Sequence, residues 1–428
     1  MDKFDVIIVG AGLAGLGAAY TLAGSGLEVL VLERGDYPGA KNMTGGRLYL
    51  NPIRSLFPNL FENAPLERFI THEGISIMAE ASSVALHYSG NELRDEPHQS
   101  YSILRSKFDR WLSERVEEKG IALLPKIRVD DVIKDNGKIV GVLAGDEELM
   151  ADIVLACDGV LSLVSEKAGL RSPARPGNFA LGIKEVIALD SEVINERFNL
   201  KGNEGAARLF VGEVTRGRFG GGFLYTNRDS VSLGIVIGIE DAAADGLPAE
   251  VPALMDTFKK RPEVTPLISG GSTVEYSAHI IPEGGFKAIS NLYGDGILVA
   301  GDAAGLAINI GFTVRGMEFA LASGFFAAQT VMQAKKAGNY DASTLGMYKR
   351  LLEDSFILKD LSNFREMPAV VGNPRFFNHY PALIGAIMKD IYSVPAGAKE
   401  RLYPTIRKHL TLGELWALFK DMKGLTKI

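Results

Sequence analysis

A chain of 428 residues, 46% hydrophobic and 23% charged, has the makeup of a large globular protein with room for about three structural units. A net charge of -6 and a pI near 5.7 exclude a general nucleic-acid binder, because no overall basic field exists to displace counterions. One cysteine, Cys157, excludes an intramolecular disulfide and fits a reducing compartment, and no apolar run reaches the ~18 residues of a spanning helix. The first strand follows the N-terminus directly, so no signal or transit peptide is expected and the expected location is the cytoplasm.

That first strand, Asp5 to Val9, enters a G-x-G-x-x-G turn at Gly10, Gly12 and Gly15. A helical stretch follows, and a second apolar run ends in Glu33, the acid expected at this distance in a dinucleotide cradle. Gly10 permits the sharp turn, Gly12 keeps a Cβ away from a pyrophosphate, and Gly15 lets the helix lie on the strand. Ala14 sits within the same first turn, whose free N–H groups face the phosphates. Glu33 would accept from an adenosine ribose. NAD and FAD present the same adenosine end, so the fingerprint leaves both open.

Arg34 to Arg47 reads as a long functional loop, in which Gly45 and Gly46 would let backbone approach a flat ring. Ile53 to Gln99 carries no chemical motif, only mixed strand and turn signals. Tyr101 to Lys119 has helical periodicity ending at Gly120, with Arg105 near its start as a candidate cofactor contact. Ile121 to Ala156 reads as a small antiparallel meander. It leads into a buried strand that returns to the cofactor sheet and ends in Asp158-Gly159, where Cys157 is expected to be packing.

Gly182 to Tyr276 reads as a second, sheet-rich domain, with a hairpin through Thr226 to Ser230 and a short helix from Pro252 to Lys260. Tyr276 and His279 are the candidate proton carriers nearby, against a structural reading for the histidine. A second strand then ends in Gly301-Asp302, followed by Gly311-Phe312-Thr313 and a helix of small residues running through about Met332. An NAD-only enzyme has no need of this second unit, whereas FAD has a ribityl chain and a flavin ring to hold. Asp302 would accept from a ribityl hydroxyl, and a helix starting near Gly311 would direct its N-terminal N–H groups at the flavin. No metal site is expected. Beyond Tyr340 the chain reads as helical pieces broken by prolines. Lys399 to Ile428 carries seven Lys or Arg against three Asp or Glu, and Leu412, Leu415, Trp416 and Phe419 form one apolar helical face. Membrane edge, partner docking and core packing are all open for that face.

The fingerprint, Ala40 to Arg47 (with Lys41 and Asn42), Leu104 to Asp109, Gly220 to Asn227, Tyr276 to His279 and Gly301 to Met317 together resemble the electron-transfer-flavoprotein:quinone oxidoreductases, most closely the short FixC type. The resemblance covers most of the chain. It implies an α/β fold with a Rossmann-like, glutathione-reductase-type FAD domain interleaved with an α+β antiparallel-sheet quinone domain, plus a helical C-terminal region. The expected division is 1–75, 99–176 and 277–345 for FAD, 76–98 and 177–276 for quinone, and 346–428 for the helical region. It also implies the cofactor residues Gly10, Gly12, Ala14, Gly15, Glu33, Arg34, Lys41, Asn42, Gly45, Gly46, Arg47, Arg105, Asp158, Gly159, Gly301, Asp302, Gly311, Phe312 and Thr313. Electrons would pass from reduced electron-transfer flavoprotein through FAD to a membrane quinone, at the surface of the cytoplasmic membrane.

The single-chain relatives carry a cluster domain, and a [4Fe-4S] centre needs four thiolates, whereas this chain has one cysteine. The FixC pattern implies that the cluster resides on a ferredoxin-like FixX-type subunit, beside FixA and FixB flavoprotein subunits. Geranylgeranyl reductases and flavin monooxygenases share the FAD architecture and are the alternative readings, with a non-enzymatic flavin-binding subunit behind them.

Overall fold

A computed structural model describes residues 3–42, 46–173, 175–244 and 250–425. Its first sheet places five parallel strands in the order Ile297–Val299, Glu147–Ala156, Lys3–Val9, Val29–Glu33 and Ala122–Pro125. Parallel strands are covered on both faces, so they read as unbroken apolar runs. Val6, Ile7, Ile8, Val31, Ile153 and Val154 accordingly have no solvent exposure. Only Asp131–Asp135, Lys138–Ala144 and Glu147–Ala156 form the antiparallel meander. Ala122–Pro125, expected within that meander, instead extends the parallel sheet beside Val29–Glu33 as a mostly exposed edge strand.

Two helices meet on one face of this sheet, Leu13–Leu22 and the long Met317–Ala337. Their backbones approach so closely that a Cβ on Gly324 would stand 2.0 Å from the Ala14 carbonyl oxygen. This contact explains the small-residue composition of the long helix, which could not cross Leu13–Leu22 here with larger side chains.

The second sheet has nine strands, in the order Ser272–Pro282, Phe179–Ala188, Ser230–Gly238, Gly220–Thr226, Glu204–Gly212, Leu66–Met78, Ser100–Ile103 and Gly46–Tyr49, with Ser83–Ser89 also on Leu66–Met78. All its pairings are antiparallel except Glu204–Gly212 with Leu66–Met78. The expected division at 75/76 falls inside Leu66–Met78. Gly46–Tyr49 and Ser100–Ile103, assigned with the FAD segments, belong to this sheet, because Ser100–Ile103 pairs with that strand and Gly46–Tyr49 pairs with Ser100–Ile103.

Arg68, wholly buried, fastens the centre of the sheet. Its guanidinium donates to the Asn227 and Glu204 carbonyls at 2.6 and 2.9 Å, to Asn195 Oδ1 at 2.6 Å and to Ser191 Oγ at 2.7 Å. Past Tyr340 the chain is helical as expected, and Pro368 and Pro374 open helical pieces, where a missing N–H is harmless.

Candidate functional site

One cavity of about 1480 Å³ runs between the two sheets. Ordinary small-molecule pockets occupy roughly 300–1,000 Å³, so this one has room for a dinucleotide and a second molecule. Glu33 and Arg34 line one end, Gly10, Gly12 and Ala14 follow, and Asp302 and Gly311 lie further along.

The first turn is built as the sequence requires. Gly10 has φ +101°, and a Cβ there would lie 2.4 Å from the Cys157 carbonyl oxygen. A Cβ on Gly15 would stand 2.0 Å from the Gly10 carbonyl oxygen, whereas one on Gly12 would meet nothing within 4 Å. Gly12 therefore marks the open side, and Leu13–Leu22 begins there without a side-chain cap, leaving its first N–H groups free for an anion. Gly15 and Gly301 shape the backbone from behind and do not line the cavity. Glu33, 8% exposed, accepts from Ala11 N–H at 2.9 Å and Gly35 N–H at 2.6 Å, a role absent from the sequence reading. Its carboxylate holds the glycine turn shut as well as facing the cavity.

Lys41, Asn42, Gly46, Arg47 and Arg105 all reach the cavity. Asn42 and Arg105 share one anchor, the fully buried Asp109. Arg105 donates to both of its carboxylate oxygens at 2.8 Å, and Asn42 Nδ2 donates at 2.6 Å. Arg47 is held by Glu73 and by Ser100 Oγ at 2.8 Å, so most of its donors are committed within the protein. Asp109 stands at i+4 from Arg105 and was legible as a pair, while Glu73 had no local signal. Gly45 lies outside the described residues, as do Met43 and Thr44.

Asp158 and Gly159 line the cavity. Asp158 Oδ2 accepts from Val164 N–H at 3.0 Å, while its buried Oδ1 has no partner among the described residues and is an acceptor awaiting a donor. Burial raises the Asp302 carboxyl above the usual range, and the Arg105 charge opposes that shift. Burial, with the charges of Arg105 and Arg34, holds the imidazole of His279 below its usual value, so it stands mostly neutral in the cavity wall. Tyr276, three residues earlier, is 53% exposed and does not line the cavity.

The helix expected near Gly311 begins instead at Met317. Between them a short hairpin pairs Ile308–Asn309 with Val314–Arg315, turning through Gly311 at φ +81°, a conformation a helix does not use. Gly311 and Phe312 line the cavity, Phe312 at 69% exposure, while Thr313 does not. Gly316 and Met317 bring the true helix start to the wall. Arg315 fixes the hairpin by donating to Glu318 at 2.6 Å and Asp360 at 2.5 Å.

Beyond this hairpin the lining becomes apolar. Ile75, Phe210, Tyr225, Val371, Ile384 and Leu418 form an arm between the second sheet and the C-terminal helices, and sequence reasoning found none of them as site residues. The open glycine turn, the helix start beside it, the orphaned Asp158 oxygen and the polar groups at the far end together fit FAD. When bound, FAD supplies transfer of electrons singly or in pairs. Glu33, Gly12, Arg105 and Asp302 line the cavity and would be the residues to hold it.

These features define the chain as an FAD-dependent oxidoreductase of the two-sheet type. A family model described as FAD binding domain matches residues 3–196. The chain is 44% identical over 428 residues to the probable electron transfer flavoprotein-quinone oxidoreductase YdiS of Escherichia coli K12, covering 100% of this chain and 99% of that one. It is 45% identical over 426 residues to protein FixC of the same strain, covering 99% of each. It belongs to the FixC/YdiS family of electron-transfer-flavoprotein:quinone oxidoreductases.

Among solved structures, a geranylgeranyl bacteriochlorophyll reductase-like protein from Thermoplasma acidophilum matches with a TM-score of 0.73 and 19% identity, over 98% of this chain and 99% of that one. The myxobacterial chondrochloren halogenase CndH matches at 0.62 with 18% identity, over 87% and 91%. Both show a shared fold.

Proposed function

We propose that the chain accepts electrons originating from a reduced electron-transfer flavoprotein and passes them through FAD to a membrane quinone. The observation that carries this reading is the continuity of the cavity: its polar cradle runs directly into an apolar arm suited to a lipophilic ring. A flavin bridges one-electron carriers and a two-electron quinone, and the chain's task is to place it. With one cysteine the chain has too few thiolates for a [4Fe-4S] centre, so a separate ferredoxin-like subunit supplies the cluster.

The helix Leu412–Leu425 lends Leu418 and Met422 to the lining of the arm. On that helix Leu412, Trp416 and Phe419 are 77%, 69% and 60% exposed, so this face is not core packing. Among the described residues no helix is long and apolar enough to cross a membrane. Aromatic side chains beside basic residues suit a peripheral seat on an anionic bilayer, from which quinone would enter the arm. The test is quinone reduction driven by reduced electron-transfer flavoprotein, with and without the cluster subunit. The expected result is fast turnover only with the cluster subunit; equal rates in both mixtures would mean direct entry of electrons and would refute the separate-subunit route.

A further inference from the structure

Glu283 follows the edge strand Ser272–Pro282, where the chain turns back from the second sheet towards the first. Its backbone N–H donates to the Asn178 carbonyl at 2.8 Å, which fixes the residue, and its side chain lies in the cavity wall. Glu283 Oε2 accepts from Asn309 Nδ2 at 3.3 Å. Asn309 Oδ1 in turn accepts from Gly311 N–H at 2.9 Å, so one side-chain amide links the carboxyl to the hairpin at the flavin end. Glu283 therefore stands at the junction of the cofactor cradle and the apolar arm.

Among the described residues no ion pair holds this carboxyl and no charged side chain acts on its titration. A carboxylate in such a wall is costly unless paired. Burial pushes its pKa up to about 7, opposed only by the Asn309 hydrogen bond. Behind Glu283 and Asn309 lies a second void of about 10 Å³, walled by Phe286, Phe364 and Met367 and close to the size of one water molecule. Lys287 and Glu366, on the two segments that bound it, form an ion pair of 2.9 Å, and Arg365 on the same segment as Glu366 holds its guanidinium 4.9 Å from the centre of the Phe286 ring. The carboxyl thus lines both the large cavity and the small void.

We propose that Glu283 delivers a proton to a quinone oxygen as the quinone is reduced, an inference that rests on the quinone reading above. A quinone becomes a quinol by taking two electrons and two protons. Bound FAD in its anionic reduced form would supply both electrons and one of the protons. The second proton comes from Glu283: its O–H bond breaks, a new O–H bond forms on the quinone oxygen, and the carboxylate recovers a proton from solvent through the small void.

The test uses holoenzyme, reduced anaerobically and mixed with a soluble short-chain quinone or with ferricyanide, which takes an electron and no proton. Loss of a general acid typically costs about a hundredfold or more. In Glu283→Gln the ratio of the quinone rate to the ferricyanide rate should fall by about that factor, and the pH dependence of the quinone rate around neutrality should disappear; Glu283→Asp should retain most of the ratio. Infrared titration of the holoenzyme should show a carboxyl C=O band that titrates near pH 7 and is missing from Glu283→Gln. An unchanged ratio and pH profile in Glu283→Gln, or wild type without the band, would overturn the proposal while leaving quinone reduction standing. Wild type reoxidised by ferricyanide but not by quinone would overturn the underlying reading instead.

Discussion

Replacing Glu33 with Ala should act twice. The buried carboxylate accepts from Ala11 N–H at 2.9 Å and Gly35 N–H at 2.6 Å, so its removal strands two backbone donors that the glycine turn cannot pair elsewhere. Each unmet donor costs about 1–3 kcal/mol, and the apoprotein should lose stability on that scale. The variant also loses a charge-assisted hydrogen bond to the ribose, worth about 1.5–3 kcal/mol, which weakens FAD roughly 10- to 150-fold. Glu33→Gln retains one carbonyl acceptor and should fall between wild type and Ala on both counts. Urea unfolding of the apoprotein reads the first effect, and FAD titration followed by flavin fluorescence, under conditions where both variants are folded, reads the second. Wild-type stability together with wild-type affinity in Glu33→Ala would refute both the placement of the cofactor and the bracing of the turn.

Lys184 has no solvent exposure, its Nζ has no hydrogen-bond partner among the described residues, and Glu275 stands 3.8 Å away. Burial lowers its pKa from 10.5 to about 7, with Glu275 opposing. Between those values the unfolded chain binds more protons than the folded one, so stability rises with pH across that window. Lys184→Met should therefore gain about 1–4 kcal/mol near pH 7, with the gain fading towards pH 10.5 in chemical denaturation curves; a loss at pH 7 would contradict this. Trp416→Ser combined with Phe419→Ser should reduce sedimentation with anionic liposomes several-fold while FAD content stays constant, and unchanged sedimentation would remove the membrane seat. NADH and NADPH should bleach the flavin only slowly, since the sequence carries one dinucleotide fingerprint with its strand and acid; stopped-flow bleaching within milliseconds would overturn this.

The features legible in the sequence are those set by local pattern. The apolar strand runs, the glycine turn ending at Gly15 and the hairpin through Thr226 to Ser230 each need only a few consecutive residues to declare themselves. The start of the long helix was misread because a glycine before a helical run resembles a helix entry in sequence, while the intervening hairpin has only two residues a side. Glu73, which holds Arg47, sits on a strand whose partner arrives from elsewhere in the chain, so no spacing could announce it. The apolar arm is invisible for the same reason: Ile75, Phe210 and Ile384 are each ordinary core residues until the fold brings them together. Helical spacing revealed the face of Leu412 to Phe419 but not that Leu412, Trp416 and Phe419 stay exposed among the described residues.

The central claim is that the apolar arm presents a quinone to the reduced flavin. The direct measurement is anaerobic stopped-flow reoxidation of the purified, FAD-loaded chain by a soluble quinone, compared with a geranylgeranyl lipid under the same conditions. The account predicts rapid return of oxidised-flavin absorbance with the quinone, quinol as the product, and no reaction with the lipid. Reoxidation by the lipid with hydrogenation of its double bonds, and indifference to the quinone, would contradict it.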